Sequence, residues 1–230
     1  MGLNGTIKPV ERSTIQEQIY TDLRHRIMCG FFFPGHLFKL MEVAAAYGSS
    51  AMPVREALSR LVAERALENA PNRSIVVPVL SEDRLEDLRR VRKTVEGFAI
   101  RAAFDHLTAP DLDEIRALLA YQVSLEGTGN IPEAVEANAR FHFQLYRLSR
   151  SVVLMPIIES LWLQFGPYLG HATALNDLNP GRGLVHHHAM LAALGRRDLD
   201  ATIAAFEKDV DISFDLLAAN PPPGRKKVAE

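Results

Sequence analysis

The chain has 230 residues and a mass of 25.6 kDa, enough for one large domain or two small ones. Its 47% hydrophobic and 23% charged residues are those of an ordinary globular protein, and a net charge of −2 excludes a wholly basic nucleic-acid coat. A single cysteine, Cys29, excludes an internal disulfide and a cysteine-rich zinc finger and points to a reducing compartment. Any metal is therefore expected to be held by oxygen donors and some of the eight histidines.

The N-terminal stretch Met1–Pro9 lacks the apolar run of a signal peptide. The most apolar segment, Val152 to Leu169, is interrupted by Pro156, Glu159, Gln164 and Pro167, so it reads as a buried helix pair rather than a membrane span. A cytoplasmic protein without a membrane partner is expected. Charge divides unevenly along the chain. Residues 1–80 hold nine Lys/Arg against seven Asp/Glu, a balance of +2, and the remainder is at −4. A mildly basic head on an acidic body is the pattern of a nucleic-acid module joined to a sensing module.

In chain order, Ile15, Ile19, Tyr20, Leu23 and Ile27 form a helical stripe that Gly30 ends, and Pro34-Gly35 turns the chain. A short helix over 40–47 closes at Gly48, in the position of a helix C-cap. Ser49 or Ser50 then caps a third helix with Val54, Ala57, Leu58 and Leu61 on one face. Ala66-Leu67-Glu68, a polar turn over 69–74 and the β-branched run Ile75-Val76-Val77 read as a small hairpin. From Ser81 to residue 219 the pattern is helical, with helices expected over 81–106, from Thr108 onward, and over 131–149, 152–174, 181–195 and 198–218. The tail 220–230, with its Pro-Pro-Pro-Gly-Arg-Lys-Lys run, is expected to be disordered.

The expected fold is therefore mainly α: a winged helix-turn-helix domain over 1–80 and an all-α helical bundle over 81–219. In such a head the second helix of the pair enters the major groove. Placed at 100° per residue, Arg92 and Glu96 fall on the apolar stripe of the 81–106 helix, and Asn138 and His142 fall on that of 131–149. His187, but not His186 or His188, faces inward on 181–195, and Asp209 does so on 198–218. Two nitrogens and two oxygens converging from separate helices suit zinc, nickel or manganese with positions left open. The inward Arg92 calls for a carboxylate.

The run from Pro34-Gly35 through Val43-Ala44, Gly48-Ser49-Ser50 and Pro53-Val54-Arg55-Glu56-Ala57-Leu58 resembles the N-terminal domain of GntR-family transcription regulators. Arg92-Lys-Thr-Val-Glu96, Asn138-Ala-Arg-Phe-His142 and the stretch from His187 to Asp198 resemble the FCD ligand-binding domain of the FadR-like branch. The resemblance implies a homodimeric, DNA-binding regulator, of repressor type, that reads a short inverted repeat and senses a small carboxylate at a metal. It implies DNA contacts from Arg24, Ser50, Met52, Pro53, Arg55, Arg60 and Arg73, and effector contacts from Arg92 and Glu96. The metal ligands it implies are Asn138, His142, His187 and Asp209. Asn138 stands where the family carries Asp, Asp209 where it carries the last His, and Arg65 where a glycine precedes the wing strand. An alternative from another class is a metal-dependent enzyme in a helical bundle, acting on a small carboxylate with Glu96 as general base.

Overall fold

The computed structural model describes residues 14–70, 74–177 and 184–222. The head is built on α1 (Ile15–Met28), α2 (Leu40–Ala46) and α3 (Ala51–Ala63) with three two-residue strands, β1 (Leu37–Phe38), β2 (Glu68–Asn69) and β3 (Ile75–Val76). The expected hairpin is present, and the structure adds a third strand. The sheet order is β1-β3-β2, all antiparallel, with Leu37 and Glu68 both facing Val76 in register. A two-residue strand leaves no periodic signature, which is why β1 is silent in the sequence.

Thr14 caps α1 by accepting from the Glu17 N–H, and Gly48, at φ +58°, ends α2. Ser50 occupies the N-cap position of α3, but its hydroxyl makes no capping bond. The head's core gathers Ile19, Leu23, Ile27, Phe38, Val54, Leu58, Leu61 and Val77. It also takes in Leu163, which belongs to the helical body.

The body consists of α4 (Glu82–Phe104), α5 (Ala109–Ser124), α6 (Ile131–Arg147), α7 (Leu154–Asp177), α8 (Val185–Gly195) and α9 (Leu199–Ala219). Ser81 caps α4, Thr108 and Asp111 form a reciprocal capping box on α5, and Asp198 caps α9. On the outside, Arg89 and Lys93 of α4 reach Asp211 of α9 at 2.7 and 3.1 Å.

One expectation is corrected. The segment read as a helix pair is one helix, α7, running through Pro167, in keeping with the helix expected over 152–174. An interior proline costs about 3 kcal/mol, and the buried Trp162, Phe165 and Tyr168 around it supply the packing that offsets this. Asn220 caps α9, and its carbonyl lies 3.1 Å from His171 Nε2 on α7. Residues 223–230 lie outside the described residues.

The same helix fastens the head to the body. Gly166 packs against the last turn of α1 so closely that a β-carbon on it would lie 2.5 Å from the Ile27 and Met28 carbonyl oxygens. The Tyr168 hydroxyl accepts from the Leu80 N–H at 2.6 Å and donates to the Pro78 carbonyl at 3.0 Å, gripping the link between wing and α4.

Candidate functional site

The body's interior polar groups converge where the sequence places them. His142 on α6 and His187 on α8 are almost fully buried, whereas His186 is half-buried and His188 exposed. The two Nε2 atoms lie 3.1 Å apart, and Asp209 on α9 offers one oxygen to each ring, at 3.2 Å to His142 and 3.1 Å to His187.

The partners of the other ring nitrogens assign the tautomers. His187 Nδ1 donates to Gln122 Oε1 at 2.9 Å. The Tyr146 hydroxyl donates to Glu96 at 2.6 Å, leaving its oxygen to accept from His142 Nδ1 at 3.3 Å. Each Nε2 therefore turns a lone pair toward the other and toward a carboxylate. Burial, above all, pushes His142 below the usual histidine value, which keeps it neutral. Three lone-pair donors meeting without a proton between them fit a divalent cation.

Asn138 sits at the edge of this cluster, its Oδ1 accepting from Gln122 Nε2 at 3.1 Å. Gln122 thus bridges Asn138 and His187 and fixes the imidazole, the usual arrangement behind a metal-binding histidine. No motif in the sequence singles out Gln122. Its only signal is an inward polar side chain on the otherwise apolar stripe of α5, between Ile115, Leu119 and Leu125.

Arg92 and Glu96 are paired with each other. Arg92 Nε and one terminal nitrogen donate to the Glu96 carboxylate at 2.6 and 3.1 Å, and the guanidinium lies 4.8 Å from the Trp162 ring and 4.5 Å from that of Phe165. Burial works against the charge, but Glu96 outweighs it and Arg92 stays protonated. The carboxylate Arg92 calls for is therefore already in the chain. This corrects the place given to Glu96: it is fully buried, bonded to Arg92 and Tyr146, and absent from the wall of the cavity. It positions Arg92, and it has no free lone pair facing a ligand with which to act as a base.

A cavity of about 80 Å³ opens beside the cluster, with His142, Asp209, Asn138 and Arg92 at one end. Trp162, Phe165, Leu169 and Ile212 line it, as do Thr173, Asn176 and Ser213. The Trp162 indole N–H, buried in this wall, has no acceptor among the described residues.

In the head, Met52 and Arg55 are exposed on α3, Pro53 lies in its first turn, and Ser50 precedes it with a free hydroxyl. Arg55 makes no ion pair among the described residues. Arg24 and Arg60 are placed otherwise than expected. Arg24 bridges Glu64 at 3.4 Å and Glu159 of α7 at 3.1 Å. Arg60 pairs with Glu17 at 2.9 Å and Glu64 at 3.4 Å and lies over the Tyr20 ring. Both charges are matched by carboxylates, so a phosphate would have to compete with Glu64. Arg73 lies outside the described residues. Arg65, where the resemblance expects glycine, has φ +61°.

A winged head with an exposed recognition helix, joined to a helical body, is the architecture of a DNA-binding transcription regulator. The chain belongs to the GntR family of bacterial regulatory proteins, whose model matches residues 15–77, and carries an FCD domain, matched over 87–211. It is 32% identical to the HTH-type transcriptional regulator McbR of Escherichia coli K12 over 182 residues, 79% of this chain and 82% of that one. It is 32% identical to the Nta operon transcriptional regulator of Aminobacter aminovorans over 130 residues, 56% and 61% of the two chains. The solved structure of E. coli McbR/YncC superposes with a TM-score of 0.83 at 28% identity, covering 92% of this chain and all of that one. A GntR regulator from Rhodococcus sp. RHA1 shares the fold, with a TM-score of 0.76 at 22% identity over 90% of this chain and 99% of that one. These families and relatives are transcriptional regulators, which overturns the enzyme alternative. No helix of the described residues is long and apolar enough to cross a membrane.

Proposed function

We propose that this chain is an effector-gated repressor, acting in the cytoplasm as a homodimer on a short inverted repeat, whose effector is a small organic acid bound in the helical cavity beside a divalent metal. The observation that carries the reading is the convergence of His142, His187 and Asp209 at the end of a cavity that Arg92 also lines. His142, His187 and Asp209 would hold the metal, with Asn138 beside them, and the ion would supply a positive centre for an anionic ligand. The unsatisfied Trp162 N–H in the same wall supports a ligand that brings a hydrogen-bond acceptor. A cavity of about 80 Å³ suits a compact acid rather than a drug-sized molecule, for which pockets of about 300–1,000 Å³ are usual.

Arg92, whose Nε and one terminal nitrogen are taken by Glu96, keeps its other terminal nitrogen for the effector carboxylate. Trp162, Phe165 and Leu169 belong to α7, whose other side carries Leu163, Gly166 and Tyr168 against the head and its linker. An effector that favours one position of α7 thereby favours one position of the head, and two heads so placed match or mismatch the operator spacing. Head and recognition helix bury little DNA surface alone, which supports a dimer.

A panel of small organic acids, each with and without added zinc, tests this by thermal shift and by operator-binding anisotropy. An acid that raises the melting temperature and changes operator affinity in the wild type, and does neither in His187→Ala, is the expected result. A panel in which no acid changes operator affinity overturns carboxylate gating. Equal metal content in wild type and His187→Ala overturns the metal site.

A further inference from the structure

The expectation that only imidazole and oxygen would hold a metal leaves Cys29 without a role. In the structure Cys29 ends α1, almost fully buried, and His25 one turn earlier shares its face. The Cys29 sulfur lies 3.7 and 3.8 Å from the two ring nitrogens of His25. From the body, Glu136 of α6 brings a carboxylate oxygen to 3.6 Å from His25 Nε2. We propose that His25, Cys29 and Glu136 form a second metal site, for a thiophilic divalent ion such as zinc, that ties the DNA-binding head to the sensing body.

The donor set and spacing carry the argument. One ligand atom from each residue lies within 4.8 Å of the other two. Tetrahedral zinc, with Zn–S of about 2.3 Å and Zn–N and Zn–O of about 2.0 Å, separates sulfur from nitrogen by about 3.6 Å and nitrogen from oxygen by about 3.3 Å. The sulfur–nitrogen and nitrogen–oxygen distances present are within a few tenths of these. Thiolate and carboxylate together balance a 2+ ion, so the filled site carries no net charge beside the buried Cys29. His25 and Glu136 are about half exposed, which gives the ion a way in and leaves the fourth position to water. Metal binding displaces the thiol proton to solvent, one proton for each ion bound. The site joins two domains: His25 and Cys29 move with the head, and Glu136 is on the helix that also carries Asn138 and His142.

Cobalt(II), a spectroscopic stand-in for zinc, distinguishes this site from the buried one, because a thiolate-to-cobalt charge-transfer band in the near ultraviolet arises only from the chain's single cysteine. Titration of the full-length protein is expected to give this band with one equivalent bound at the seam, in the wild type and in His187→Ala alike. Cys29→Ser should abolish it, and His25→Ala and Glu136→Ala, both at half-exposed positions, should each weaken cobalt binding at least about tenfold. Absence of the band in the wild type overturns the proposal, as does a band unchanged in both His25→Ala and Glu136→Ala. Failure of the buried site is read separately, as a metal content that His187→Ala does not lower.

Discussion

Gly170 of the body and Gly30 of the head meet backbone to backbone: a β-carbon on Gly170 would lie 2.7 Å from the Gly30 carbonyl oxygen and 3.0 Å from its α-carbon. With Gly166 one turn earlier, this makes a smooth track on α7 along which the end of α1 is laid. Gly30 itself has φ +70°, a conformation that leaves the helix sharply enough for this approach.

The track gives the first prediction. Gly166→Ala must displace the backbone of residues 27–28, because the opposing atoms are carbonyl groups rather than side-chain ends. The cost is expected to be about 1–3 kcal/mol, as for other overpacked sites. The head should undock before either core melts. Calorimetry should therefore resolve two transitions where the wild type gives one, and protease should cut faster between residues 77 and 81. A single, unshifted transition would show that the head is not held by this contact.

The recognition face gives the second prediction. Arg55→Ala should weaken binding to a specific operator by about 5- to 150-fold, the 1–3 kcal/mol of a bidentate base contact, without changing the melting temperature. Arg60→Ala should change operator affinity much less, since its charge is already matched by Glu17 and Glu64. Its effect should fall on stability through the lost contact with the Tyr20 ring. Fluorescence anisotropy over a salt series separates the two residues. Equal losses for both would place Arg60 among the DNA contacts.

How far the sequence carried this reading depends on the kind of residue. Positions on apolar stripes were legible because helical period fixes direction: His142, His187 and Asp209 meet as the 100° spacing requires, and His186 and His188 turn away. What a side chain meets across the interior was not legible. The inward direction of Glu96 is the same whether it faces a ligand or Arg92, and only the tertiary structure distinguishes the two. Arg24 likewise reads as a free cation until Glu159, far along the chain, is brought beside it. Pro167 reads as a break because the local penalty is visible and the packing that overrides it is not.

Arg65 gives the third prediction. Its φ of +61° is strained for a residue with a β-carbon, and its side chain is exposed. Arg65→Gly should stabilise the head by about 0.5–1 kcal/mol, the strain relieved exceeding the entropy cost of glycine in the unfolded chain. Chemical denaturation followed by head-specific signals checks this. A destabilised variant would mean that the arginine side chain contributes more than the strain costs.

Asp211 gives the last. Burial would raise its carboxyl, but hydrogen bonds and charge from Arg89 and Lys93 outweigh this and hold it below the usual carboxylate value. A carboxyl whose folded pKa is depressed binds fewer protons folded than unfolded, so its contribution is fully present above the unfolded value near 4 and is lost as pH falls through the folded one. The pair joins α4 to α9 while still partly open to solvent, so the contribution should be about 1 kcal/mol. Asp211→Asn should therefore lower the melting temperature at pH 7 and lower it by less at pH 3, below the unfolded value, where part of the contribution is lost. High salt should shrink the difference at pH 7. Equal losses at both pH values would show that the side chain acts through packing and that its charge is immaterial.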